Sequence, residues 1–209
     1  MRFGLILLMA VLLPLQLVRA ATPQEAFIDH MGQQAISVLA DKSMTLDGRH
    51  AAFAKLFNQN FDLKTIGRFT LGRHWREASD DQKAQYQQLF EKMVITVYTQ
   101  RFDNYAGQQF SVHGSTPVDG AASDVLVHSQ IVQTEQGAPP VAVDWRVRSE
   151  GGQYKVIDVM VEGVSMSLTQ RNDFDGVVAQ GGMDGLIKDL QARVSGEKPV
   201  ALPTGAAAK

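Results

Sequence analysis

The 209-residue chain contains no cysteine. That absence excludes a disulfide framework, thiol chemistry and a lipoprotein anchor at an export cleavage site. An excess of one charge sign is lacking too: 20 basic residues face 22 acidic ones, a formal net charge of −2. So mild a balance argues against nucleic acid as the main partner, and against permanent docking on anionic membrane through a basic patch. The five histidines, His30, His50, His74, His113 and His128, show no metal-ligand spacing, and His30 has no i+4 partner for a zinc helix. No GxSxG, HExxH, phosphate-loop or dinucleotide fingerprint occurs, and there is no internal repeat. No cofactor is expected. The long apolar run, Leu5 to Val18, is too short to span a bilayer comfortably.

That run instead has the parts of an export signal. Arg2 precedes it, Pro14 interrupts it, and Val18-Arg19-Ala20 supplies the residues a signal peptidase reads, so residues 1–20 are read as a signal peptide. Removing 20 residues from 209 leaves 189, enough for one domain with a sizeable core, placed at 21–195. Arg2 and Arg19 leave with the signal, so 18 basic residues face 22 acidic ones and the net charge becomes −4. Gly196 to Lys209, rich in Gly, Pro and Ala, reads as a disordered tail.

Between these ends the order is helices, a sheet, then helices. Residues Gln24 to Asp41 carry Phe27, Met31, Ala35 and Val38 at helical spacing. Asp47 is the expected cap of a second helix with an inner face of Phe53, Leu56, Phe57 and Asn60. Asp62 should cap a third, with Phe61 and Ile66 as a hydrophobic staple and Gly72 as the stop. The longest helix is expected from Ser79 to Ala106, capped by Ser79 and Gln82 and about 40 Å long. Its bulky stripe calls for a broad apolar sheet to pack on. Strands begin at Phe110 and Val112, at Val125, Val127 and Ile131, at the alternating Val141–Arg148, and at Tyr154–Val161. Glu162-Gly163 should turn the chain, and Ser167 to Gln170 fits a capping box. The expected fold is α+β: a curved antiparallel sheet of about four strands packed against several helices.

Two stretches carry a resemblance. In DVMVEGVSMSLTQRNDF, Asp158, Val161-Glu162-Gly163-Val164-Ser165, Arg171 and Phe174 are similar to the MlaC, or toluene-tolerance, family of periplasmic phospholipid carriers. In FDLKTIGRFTLGRHWR the matching residues are Phe61, Asp62, Ile66, Arg68, Leu71-Gly72-Arg73 and Trp75, with His74 where a Tyr is more usual. The resemblance reaches to about Leu190 and implies a lipid shuttle in the periplasm rather than an enzyme. It implies as partners an outer-membrane lipoprotein–porin complex, an inner-membrane ABC transporter with a substrate-binding ring, and transient membrane contact. VDWRV at Val143–Val147 and VEGVSMSLTQR at Val161–Arg171 look nearer to the hopanoid-associated HpnM branch, so the cargo is either a phospholipid or a hopanoid-like polycyclic lipid.

The resemblance further implies that sheet and helices enclose an apolar lipid cavity, since a carrier needs a greasy interior. The residues assigned to hold the tails are Phe90, Val94, Val97, Tyr98, Phe102, Val127, Val143, Trp145, Val147, Val159, Val161, Val164 and Met166. Each would serve equally as ordinary core, and sequence does not separate a dry core from a hollow one. Arg68, Arg73 and Arg76 near Trp75 either steer a phosphate or a partner surface, or simply solvate a helix end. Arg171 and Glu162 are expected to pair across the strand-to-helix turn. The rival class is a small pocket enzyme of a cone-shaped α+β fold, with Tyr98, Asp103, Asp144 and Asp158 as its candidate proton-transfer groups. Asp144 alternates away from the Val143 and Trp145 face, and no catalytic motif supports that class.

Overall fold

The computed structural model describes residues 20–101 and 105–199. The expected signal peptide, up to residue 19, and positions 200–209 of the expected tail lie outside these residues. Thr22 opens α1 (Pro23–Ala40) with a reciprocal capping box: its hydroxyl accepts from the Glu25 amide, and the Glu25 carboxylate accepts from its own. The cap of α2 (Leu46–Asn60) is Thr45 and not Asp47, which falls inside the first turn. Thr45 is the last residue with extended backbone, so its hydroxyl sits over the free N–H groups. Asp62 caps α3 (Leu63–Leu71) as expected, accepting from the Thr65 amide at 2.9 Å, and Gly72 stops it. A single turn, α4 (His74–Glu77), leads to Ser79 and Gln82, which make both bonds of the expected capping box.

The long helix that follows, α5 (Asp80–Arg101), is shorter than expected. Tyr105 and Ala106 are not helical, because Gln108 accepts the Ala106 amide through its side chain and Gly107, at φ +98°, turns the chain. Strands β1 (Gln109–Pro117), β2 (Asp124–Val132), β3 (Val141–Glu150) and β4 (Gln153–Val161) form an antiparallel meander. A two-residue β5 (Val164–Ser165) adds a fifth strand to the four expected, and the sheet stays open. Register shifts at Val112/Gly114 and Arg146/Val147 mark bulges, which bend and twist a sheet. Glu162 and Gly163 both have positive φ, as a two-residue hairpin turn requires. Glu162 is held there by exchanging two bonds with Ala142, one through its amide and one through its carboxylate.

The last helix, α6 (Met166–Ser195), is capped by Ser165, two residues before the expected box, and breaks its helical geometry at Gly182. Ser167 is buried instead, with its amide donating to Asp158. The stripe of α5 meets helices more than sheet. Tyr86, Phe90 and Met93 pack with Phe174, Leu186 and Leu190 of α6 and Leu71 of α3. Ile28 and Met31 of α1 cover Val127, Val147 and Val156 of the sheet in a second core. Gly32 brings α1 so close that a Cβ there would meet the Phe110 ring at 2.4 Å. With α6 satisfying α5, and α1 covering only part of the sheet, the inner face is left unfilled between them.

Candidate functional site

That unfilled space is a cavity of about 720 Å³. Its walls come from helical spacing on several elements. On α5, Phe90, Met93, Val94, Val97 and Tyr98 fall at i, i+3, i+4, i+7 and i+8, one continuous face. Phe53, Leu56 and Phe57 of α2, and Met31, Ala35 and Leu39 of α1, do the same. The sheet contributes Phe110, Ile131, Trp145 and Val159, and α6 begins at the wall with Met166, Ser167 and Gln170. Aromatic rings make the stiffest part. Phe57 stacks on Phe61 at 3.8 Å between centroids and on Tyr98 at 5.8 Å, while Trp145 meets Phe61 and Phe110 edge-on. The indole N–H of Trp145 donates to the Ser129 hydroxyl at 2.8 Å, which donates to the Val143 carbonyl, so this ring is fixed without an unmet polar group.

Charge is nearly absent from the walls. Among the described residues no lysine or arginine lines the cavity, and the one lining carboxylate is Asp158. Its oxygens are already used: they accept from the Ser165 hydroxyl at 2.6 Å, the Ser167 amide at 3.1 Å and the Val159 amide at 2.9 Å. Asp158 therefore ties β4 to the start of α6. Tyr86, beneath the floor, donates to the Gly67 carbonyl and contacts the Thr70 hydroxyl, and burial pushes its phenol well above the usual range. Of the other groups considered for proton transfer, Asp144 is bonded to His128 at 2.9 Å and does not line the cavity, Tyr98 does line it, and Asp103 lies outside the described residues. The container is apolar and aromatic, with Gln108, Gln109, Gln133 and Gln170 among its lining residues.

Seven of the thirteen residues assigned to tails line this space: Phe90, Val94, Val97, Tyr98, Trp145, Val159 and Met166. Phe102 lies outside the described residues. Val127 and Val147 are fully buried under α1, Val143 and Val161 are buried away from the cavity, and Val164 on β5 is 45% exposed. Alternation finds the face of a strand but not how far a helix covers it. Phe53, Phe57, Phe61, Leu63 and Ile66 were missed as wall residues, although Phe53 and Phe57 stand on a helical face legible in sequence. The Arg171–Glu162 pair does not form: Arg171 lies over the Phe69 ring at 5.4 Å, and Glu162 binds Ala142. Arg68 lies over Trp75 at 5.9 Å and Arg73 pairs with Asp175 at 3.2 Å. His74 is buried, bridging Glu77 and Asp175.

A sequence model described as MlaC protein matches residues 29–192. The intermembrane phospholipid transport system binding protein MlaC of Haemophilus influenzae is 25% identical over 135 residues, 64% of this chain and 63% of that protein's length. A phospholipid-binding protein from Ralstonia solanacearum, solved in complex with a phospholipid, superposes with a TM-score of 0.69 at 25% identity, over 82% of this chain and 97% of that one. The chain belongs to the MlaC family.

Proposed function

We propose that this protein is a periplasmic lipid carrier, with residues 1–20 as a cleaved signal, residues 21–195 as the lipid-binding domain and the remainder as a tail. The cavity carries the proposal. A 150 Å³ apolar cavity accommodates benzene, roughly 25 Å³ per carbon. On that scale, 720 Å³ holds on the order of thirty carbons. A two-tailed phospholipid has about 30 methylenes, each gaining about 0.8 kcal/mol when hidden from water, or about 24 kcal/mol gross. No lipid crosses water unaided against such a cost. Moving from bilayer into an equally apolar cavity nearly cancels it, so the carrier can load and unload in either direction, and its partners set the net flow.

The Ralstonia protein holds a phospholipid, which makes a phospholipid the favoured cargo here. The family further supports exchange between an outer-membrane lipoprotein–porin complex and an inner-membrane ABC transporter. Among the described residues no helix is long and apolar enough to cross a membrane. The test is native mass spectrometry of protein purified from its own host, alongside Val94→Trp and Val97→Trp, which place bulk inside the cavity. The expected result is one copurified phospholipid per chain, with loading reduced at least about tenfold in the filled variants. A polycyclic lipid would reassign the cargo to the hopanoid class. An empty protein that also takes nothing from vesicles would refute the carrier role.

A further inference from the structure

Two helices of the cavity wall also carry an apolar and cationic outer surface. Inward, α3 offers Leu63, Ile66 and Thr70, and α6 offers Met166, Ser167 and Gln170. Outward, Phe69 of α3 is 43% exposed and Leu168 of α6 is 48% exposed. Arg171 joins them. It lies one turn beyond Leu168 on the same helical face, and its guanidinium covers the Phe69 ring at 5.4 Å. Gly72 leaves room for that reach, since a Cβ there would meet Arg171 Nε at 2.7 Å. Beside Phe69, exposed Arg68 stacks over Trp75 at 5.9 Å. A guanidinium stacked on a ring keeps its N–H edges for an anion. Among the described residues neither Arg68 nor Arg171 has a carboxylate partner, whereas Arg73, Arg146, Arg148 and Arg193 each have one. Acids on the adjoining turns are engaged elsewhere: Asp175 with Arg73 and His74, Glu77 with His74, and Asp173 with Arg193.

We propose that Phe69 and Leu168, flanked by Arg68 and Arg171, form a docking face for an anionic bilayer surface. The two apolar side chains enter the headgroup layer, and the two guanidiniums meet lipid phosphates. Charge complementarity selects this occupant. Apolar side chains alone would suit any greasy partner, but unpaired cations set beside them call for anions and hydrocarbon together, as lipid heads over acyl chains supply. So few groups make a weak contact that forms and breaks. Docking would set the α3–α6 wall of the cavity against the bilayer, a use that rests on the lipid-carrier reading above.

The experiment sediments the full protein with vesicles of phosphatidylcholine, alone or mixed equally with phosphatidylglycerol, at low and physiological salt. Native mass spectrometry reads lipid uptake from the same samples. The wild type should bind the anionic vesicles at least about tenfold more tightly, and the preference should shrink as salt rises. Arg68→Gln with Arg171→Gln should remove most of that preference, about fivefold per arginine. Arg68→Gln alone, at an exposed position, should still cost about fivefold if the half-buried Arg171 proves necessary for folding. Phe69→Ser with Leu168→Ser should weaken binding to both vesicles at least about tenfold. Variants that keep wild-type binding, or a wild type with no anionic preference, would overturn the docking face. So would a wild type that ignores both vesicles, which would leave the face to a protein partner. A wild type that docks as described but takes up no lipid supports the face and overturns the carrier reading.

Discussion

At the scale of single residues, two carboxylates do most of the local organising. Asp124 is fully buried between Arg146 and Arg148, with contacts of 2.7 to 3.0 Å, and their hydrogen bonds hold its pKa down to about 2. Because its folded pKa lies below its unfolded value of 3.8, its contribution is complete above pH 4 and is lost as pH falls from about 4 to about 2. The guanidiniums are about a third exposed, so solvent screening limits this contribution to about 1–2 kcal/mol. Urea unfolding of Asp124→Asn should show that loss at pH 7 and a flatter stability profile between pH 2 and 4. Asp158→Asn should cost about 1–2 kcal/mol by weakening the bonds to Ser165 and Ser167, measured the same way. The position of Asp158 in a shared motif was legible in sequence. Its role was not, because an acceptor's partners lie on a backbone whose path only the fold defines.

Secondary-structure elements were legible wherever one pattern governed. Asp62 before α3, Ser79 with Gln82 before α5, and the alternation of β3 each acted locally, and each stands where sequence placed it. Two caps stand two residues earlier than expected, Thr45 in place of Asp47 and Ser165 in place of Ser167. Packing partners were not legible, since the apolar stripe of α5 fits a helix as well as a sheet. The division between solid and hollow is testable on this scale. Leu186→Ala in the fully buried α5–α6 core should cost about 3–5 kcal/mol. Leu39→Ala, at the half-buried end of α1 on the cavity wall, should cost less than about 1 kcal/mol, because its neighbour is already a void. Equal costs in denaturant titrations would contradict that division.

For the whole molecule, the open sheet, partly covered by α1, and the helical core beside it leave a space that neither layer fills. Hydropathy patterns report which side of an element avoids water, not whether the opposing surface touches it, so the void itself was invisible in sequence. Lipid in that space should stabilise the fold through mass action, by about 2.7 kcal/mol at a hundredfold excess over the dissociation constant. Stripping lipid should therefore lower the melting temperature by about 5–10 °C, read by scanning calorimetry. The most direct measurement loads the protein with a phospholipid bearing a diazirine in its acyl chain, irradiates it and maps the adducts by peptide mass spectrometry. The account predicts adducts on the cavity face of α5, at Val94, Val97 and Tyr98, and on Phe57 of α2. Adducts confined to outer surfaces such as Phe69 and Leu168, with none on those walls, would contradict it.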